Sequence, residues 1–154
     1  MPRQKPRKTA GTISGYAATF DSPSKDIGFT EYIRAGAFKD SLFQLANVVA
    51  LVNHDSGQLL GRSQSGTLRL KEDHKGLHFE CDVSDTTAGR DCLANVSRHD
   101  QSECSFSFTI AEDGERWFKG ENGEVCRELT RVDLHDISIV NSPAYSATSV
   151  QIGV

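Results

Sequence analysis

The sequence predicts one mainly β domain with helices at its periphery, a small antiparallel β-barrel or strongly curved sheet flanked by helices. Three observations carry this expectation. A chain of 154 residues suits one core, and 37% hydrophobic residues with 13 glycines give an ordinary globular apolar share. From Thr12 onward most apolar residues recur at period two, with polar or glycine-containing turns between the runs. Only two stretches show helical spacing instead.

The elements follow in chain order. Residues 1–10 form a basic arm: Arg3, Lys5, Arg7 and Lys8 stand beside Pro2 and Pro6 with no large apolar residue after Met1, so a solvated, disordered tail is expected and 11–154 is the single domain. Strands are predicted over 12–20 and 47–53, the second built on the run Val48-Val49-Ala50-Leu51-Val52, with a helix over 37–45 between them. Strands over 67–71 and 77–83 are joined by the hairpin signal Lys71-Glu72-Asp73-His74-Lys75-Gly76. In 77–83 every odd position is apolar and every even one polar. A second helix over 88–96 carries Ala88, Cys92, Leu93 and Val96 after the cap Asp85-Thr86-Thr87. In 103–110, Cys104, Phe106, Phe108 and Ile110 face a core, and Ser105, Ser107 and Thr109 line the opposite face. Strands over 116–119, 125–134 and 137–140, with turns at 113–115 and 119–124, read as an antiparallel meander.

Composition excludes several classes. The longest apolar run is five residues, far short of the roughly 20 that cross a bilayer, so no membrane partner is expected. The basic N-terminus is not followed by an apolar segment, which argues against a secretory signal and makes an intracellular site the default. The first nine residues hold four of the 17 basic groups and no acid, leaving 13 against 21 acids, a net −8, for the remainder. Such an acidic body is unsuited to neutralising phosphates, and no specific nucleic-acid partner is expected. Cys81, Cys92, Cys104 and Cys126 lack C-x-x-C pairing and read as buried thiols. Of the five histidines only His74 and His78 stand at i, i+4, and they fall across a predicted hairpin turn rather than on a helix; no phosphate-cradling glycine motif occurs either, so neither metal nor cofactor is expected.

Several residues could carry chemistry. His54, in Asn53-His54-Asp55, ends a buried strand, where the sheet rim would present an imidazole to a cleft; a surface histidine is the bland reading. Asp55 is poorly placed to orient it, because neighbouring side chains on a strand point apart. Ser105 is available on the exposed face of its strand but needs a base, and by itself reads as an ordinary strand serine. Cys104 is a competing nucleophile whose parity buries it among phenylalanines, where desolvation keeps a thiol inert. In Leu134-His135-Asp136-Ile137-Ser138-Ile139-Val140, Asp136 and Ser138 share one face and His135 the other, and either His135 or Asp136 could orient His54.

In this order, Gly15-Tyr16-Ala17-Ala18-Thr19-Phe20, Gly36-Ala37-Phe38, Asn53-His54-Asp55 with Leu60-Gly61, Gly76-Leu77, Ser105-Phe106-Ser107-Phe108, and Ile137-Ser138-Ile139-Val140 with Ser142-Pro143-Ala144-Tyr145 run along nearly the whole chain. The set resembles the prohead protease family of tailed bacteriophages, related to the herpesvirus capsid-maturation protease assemblin. The resemblance implies an assemblin-like barrel and a serine endopeptidase with Ser105 as nucleophile, His54 as base and Asp136 as third member. Asp136 stands where the family usually has glutamate, and His135 could take that role as the second histidine does in the herpesvirus relatives. Ser107 replaces a family glycine and could crowd the site, and Cys104 replaces a common methionine. The implied substrates are major capsid protein or scaffold segments, and a copy of the chain itself, inside the immature capsid in the cytoplasm of the host of a phage or prophage. The herpesvirus relatives also suggest a homo-oligomer. The Ser107 and Asp136 departures leave a second reading, a catalytically inactive capsid-assembly or scaffold-binding module of the same fold; a third is a small-ligand barrel.

Overall fold

The structure is a computed structural model that describes residues 8–44, 47–143 and 145–154. Most of the arm, Leu45 of the first expected helix, and Ala144 of the Ser-Pro-Ala-Tyr segment lie outside the described residues. The described chain runs β1 (Thr9–Thr19), β2 (Thr30–Ile33), α1 (Lys39–Phe43), β3 (Val49–Val52), β4 (Asp55–Arg62), β5 (Leu68–Glu72), β6 (Gly76–Ser84), α2 (Thr87–Ser97), β7 (Glu103–Ile110), β8 (Glu115–Lys119), β9 (Val125–Leu129), β10 (Val132–Val140) and β11 (Ser149–Ile152). β1 begins inside the segment expected as arm, with Thr9 Oγ1 donating to Val83 O at 3.0 Å.

The mainly β class is as expected, but the closed antiparallel barrel is not what forms. The strands make three open sheets, in the orders β11-β1-β6-β5, β4-β3-β10-β7 and β2-β9-β8. Closure requires every strand to have a hydrogen-bonded neighbour on both sides. Here β4, β7, β5 and β11 each end a sheet. Nor is the pairing wholly antiparallel, because β3 joins β10 and β2 joins β9 in parallel. The two four-stranded sheets share one core, with Ile13, Leu77, Phe79, Cys81 and Val83 from one and Leu60, Cys104, Phe106, Ile137 and Ile139 from the other. Where β4 crosses β6, a Cβ at Gly61 would lie 2.8 Å from Cys81 Sγ, so a side chain there would have to displace the thiol from the packing between the sheets.

The expected meander is also corrected. β8 and β9 form a hairpin in the three-stranded sheet, whereas β7 pairs with β10. The segment 125–134 divides at Thr130 and Arg131, whose backbone N–H groups both donate to Gly114 O, at 2.7 and 3.3 Å. Its second part joins 137–140 as one strand.

The α2 cap is the expected one: Thr86 Oγ1 accepts from Gly89 N at 3.1 Å. The short α1 supports β10. Its buried Ser41 donates to Val132 O at 3.1 Å and accepts from Leu134 N at 3.0 Å, fixing the strand just before an irregularity. There Leu134 pairs with Phe108 and Asp136 with Ser107, so His135 is the extra residue of a β-bulge.

Candidate active site

The site is assembled from the turn between β3 and β4 and from the facing positions of β10 and β7. Val52 pairs with Asp55, leaving Asn53 and His54 as a two-residue hairpin loop. Their φ angles are +50° and +56°. Positive φ at both central positions is the signature of a type I′ turn, whose twist matches that of the strands it joins. Asparagine tolerates this region readily and histidine less so. The turn is held against β10 at three points. Asn53 N donates to Ile139 O at 2.9 Å, His54 N donates to Ser138 Oγ at 3.0 Å, and Asn141 N donates to Asn53 Oδ1 at 3.3 Å.

So held, His54 places Nδ1 2.7 Å from Asp136 Oδ1. An ionised carboxylate only accepts hydrogen bonds, which assigns the proton to Nδ1 and leaves the Nε2 lone pair free as a base. The imidazole is 38% exposed and the Asp136 side chain 13%, so one reaches solvent while the other is screened by the sheet. Ser138 Oγ donates to the same Oδ1 at 3.1 Å, and Ser107 Oγ donates to Oδ2. Ser105 is half-buried and lies directly across from Ser138, as Ser107 lies across from Asp136. Cross-strand partners share a face, so Ser105, Ser107, Ser138 and Asp136 form one polar surface beneath His54. Among the described residues the Ser105 hydroxyl makes no hydrogen bond to another side chain.

A family model described as caudovirus prohead serine protease matches residues 2–154. The chain belongs to that family. It is a serine endopeptidase with a role in prohead maturation, acting in the phage procapsid within the host cell. No curated protein and no solved structure matches it. No helix among the described residues is long and apolar enough to cross a membrane.

The remaining candidates in this prohead protease stand differently. Cys104 is wholly buried, and its Sγ donates to Ser149 O at 3.3 Å. Burial pushes its thiol far above the ordinary range, which suits packing and not nucleophilic attack. Parity put His135 on the face away from Asp136, and the bulge changes that. Exposed, its Nε2 sits 2.5 Å from Thr109 Oγ1, on the side of β7 that carries Ser105 and Ser107. His135 is thus engaged with Thr109, and the group against His54 is Asp136. Asp55 folds onto its own turn, accepting from Gly57 N at 2.8 Å. His78 meets the Tyr16 ring edge-on in the other four-stranded sheet. Among the described residues no group of three His, Cys, Asp or Glu side chains is arranged to hold a metal ion.

Sequence reasoning missed the two hydroxyls on the carboxylate. Ser138 was legible as sharing a face with Asp136, but its bond to His54 N depends on how the turn folds back. Ser107 was legible as lining the same face as Ser105 and as a side chain that could crowd it, but not as a donor to Asp136. The structure has it donating to Asp136.

Proposed function

We propose that this prohead protease cleaves capsid-protein or scaffold segments, and copies of itself, with Ser105 as nucleophile, His54 as general base and Asp136 as the group that orients the base. The observation that carries the reading is the His54 Nδ1 to Asp136 Oδ1 contact of 2.7 Å above the strand face that bears Ser105. The Ser105 hydroxyl attacks the scissile carbonyl as His54 Nε2 takes its proton. The resulting imidazolium, held by Asp136, returns that proton to the departing amine, leaving an acyl-enzyme that water hydrolyses by the same route. A single folded unit that takes in Thr9 of the expected arm carries the site, and self-association accompanies activity inside the immature capsid.

The test is intact-mass analysis after exposure to a serine-directed fluorophosphonate, with parallel co-expression of the capsid or scaffold precursor. One adduct is expected on wild type and Cys104→Ala, and none on Ser105→Ala or His54→Ala. Precursor processing should follow the same pattern. Unchanged processing by Ser105→Ala would sink the assignment, and loss of the adduct in Cys104→Ala alone would move the nucleophile to the thiol.

A further inference from the structure

We infer that Ser107 is a positioning residue for the reaction, fixing the Asp136 carboxylate so that Oδ1 faces the imidazole; the inference rests on the assignment of Ser105, His54 and Asp136 above. A carboxylate with one anchored oxygen can still turn about its bond to Cβ. The turn that carries His54 is held to β10 by Asn53 N on Ile139 O and His54 N on Ser138 Oγ, so any rotation of the acid would lengthen the bond to Nδ1. Asp136 is anchored at both oxygens. Ser138 holds Oδ1 from two residues along the same strand, and Ser107 holds Oδ2 from the neighbouring one. Because Ser107 is the direct cross-strand partner of Asp136, β-sheet pairing itself sets its reach. The bulge at His135 contributes to the same end, since it brings Asp136 opposite Ser107 while Leu134 stays in the core.

The carboxylate therefore receives three donors: His54 Nδ1, Ser138 Oγ and Ser107 Oγ. The first is spent on the base and the other two on the acid's orientation. Ser138 also accepts from His54 N, so its removal would disturb the turn and the acid together. Among the described residues Ser107 has its one side-chain bond to Asp136, and so separates orientation of the acid from placement of the histidine. That is the functional content of a serine that parity places on the face of Ser105 and that stands where the family has glycine.

Ser107→Ala should slow fluorophosphonate labelling of Ser105 by about 10- to 100-fold, the range spanned by one hydrogen bond to a charged group. Ser107→Thr, which keeps a hydroxyl and suits a strand, should restore most of the rate. A second readout needs no catalysis: the low-field proton resonance of His54 Nδ1, identified by its absence in His54→Gly, should shift or broaden in Ser107→Ala and return in Ser107→Thr. A merely structural serine would lower the melting temperature without moving that resonance. Equal labelling rates and an unmoved resonance in Ser107→Ala would overturn the inference and leave the triad assignment intact. Labelling that persists in Ser105→Ala would overturn the assignment instead. If wild type takes no label, the resonance decides the positioning role alone: moved in Ser107→Ala it upholds the inference, unmoved it removes it.

Discussion

His54→Gly should abolish proteolysis while leaving the fold nearly as stable as before, a combination that follows from the turn. The wild-type residue occupies the left-handed region at φ +56°, which costs a side-chain-bearing residue on the order of 1–3 kcal/mol. Glycine removes that strain but adds about 0.5–1 kcal/mol of chain entropy to be lost on folding. It also removes the bond to Asp136. A hydrogen bond to a charged group contributes about 1.5–3 kcal/mol when well screened from water, and an imidazole 38% exposed realises the lower part of that range. The backbone bond from residue 54 to Ser138 survives, and Asp136 keeps the donors Ser107 and Ser138. Relief and loss thus nearly cancel.

Net stability should change by no more than about 1 kcal/mol, which for a domain of this size moves Tm by about 2–4 °C. Loss of the base should slow turnover by about 10²–10⁴-fold or more. Thermal unfolding of the purified variant measures the first, and processing of the co-expressed precursor the second. A destabilisation above about 3 kcal/mol would refute the strain argument. Processing at the wild-type rate by a folded variant would refute the role of His54.

Further outcomes follow from the same geometry. Asp136→Ala should reduce turnover on the order of 10⁴-fold, as loss of an orienting carboxylate does, whereas His135→Ala, which loses only an exposed contact with Thr109, should stay within a few-fold of wild type; the reverse ranking would hand the third role to His135. Gly15→Ala should destabilise by about 3 kcal/mol in chemical denaturation, because its Cβ would lie 2.0 Å from Ser149 O and force β11 off β1. The Tyr16 hydroxyl, with backbone N–H groups of Lys75 and Gly76, holds the Asp73 carboxyl down to about 2 from the ordinary 3.8. A depressed carboxylate stabilises the fold above its unfolded value and loses that contribution as pH falls towards 2, so Tyr16→Phe should flatten the decline of Tm between pH 4 and pH 2. Burial raises the Cys81 and Cys92 thiols to about 12 and 11, so neither should react with iodoacetamide at pH 8 until the chain unfolds.

The strands legible in the sequence were those whose two faces meet different surroundings. Leu77, Phe79, Cys81 and Val83 are all buried in the core while the residues between them are not, and period two reports such a difference directly. β2 was missed because its buried positions include a charge. Glu31 is 3% exposed, paired with Arg127 and accepting from Tyr145 Oη at 2.7 Å, so Thr30-Glu31-Tyr32-Ile33 shows no apolar alternation. β4 escaped for another reason: its first five residues are exposed and its pairing with β3 is twice irregular. Barrel closure could not be read from local pattern at all, since it depends on which edges find partners.

The site turns on the same limit. Strict alternation gives Leu134 and Asp136 the same face, yet Leu134 is in the core and Asp136 is beneath His54. Both are satisfied only because His135 is bulged out between them. A one-residue bulge preserves every local propensity while reversing the parity of all that follows, so a single sequence offers Asp136 and His135 on equal terms. What separates them is the partner strand. Ser107 stands across from Asp136 and Thr109 takes His135, and those pairings follow from the register of β7 against β10. The proposed choice of acid therefore rests on strand register, and a change in register would part Asp136 from Ser107 without altering either residue.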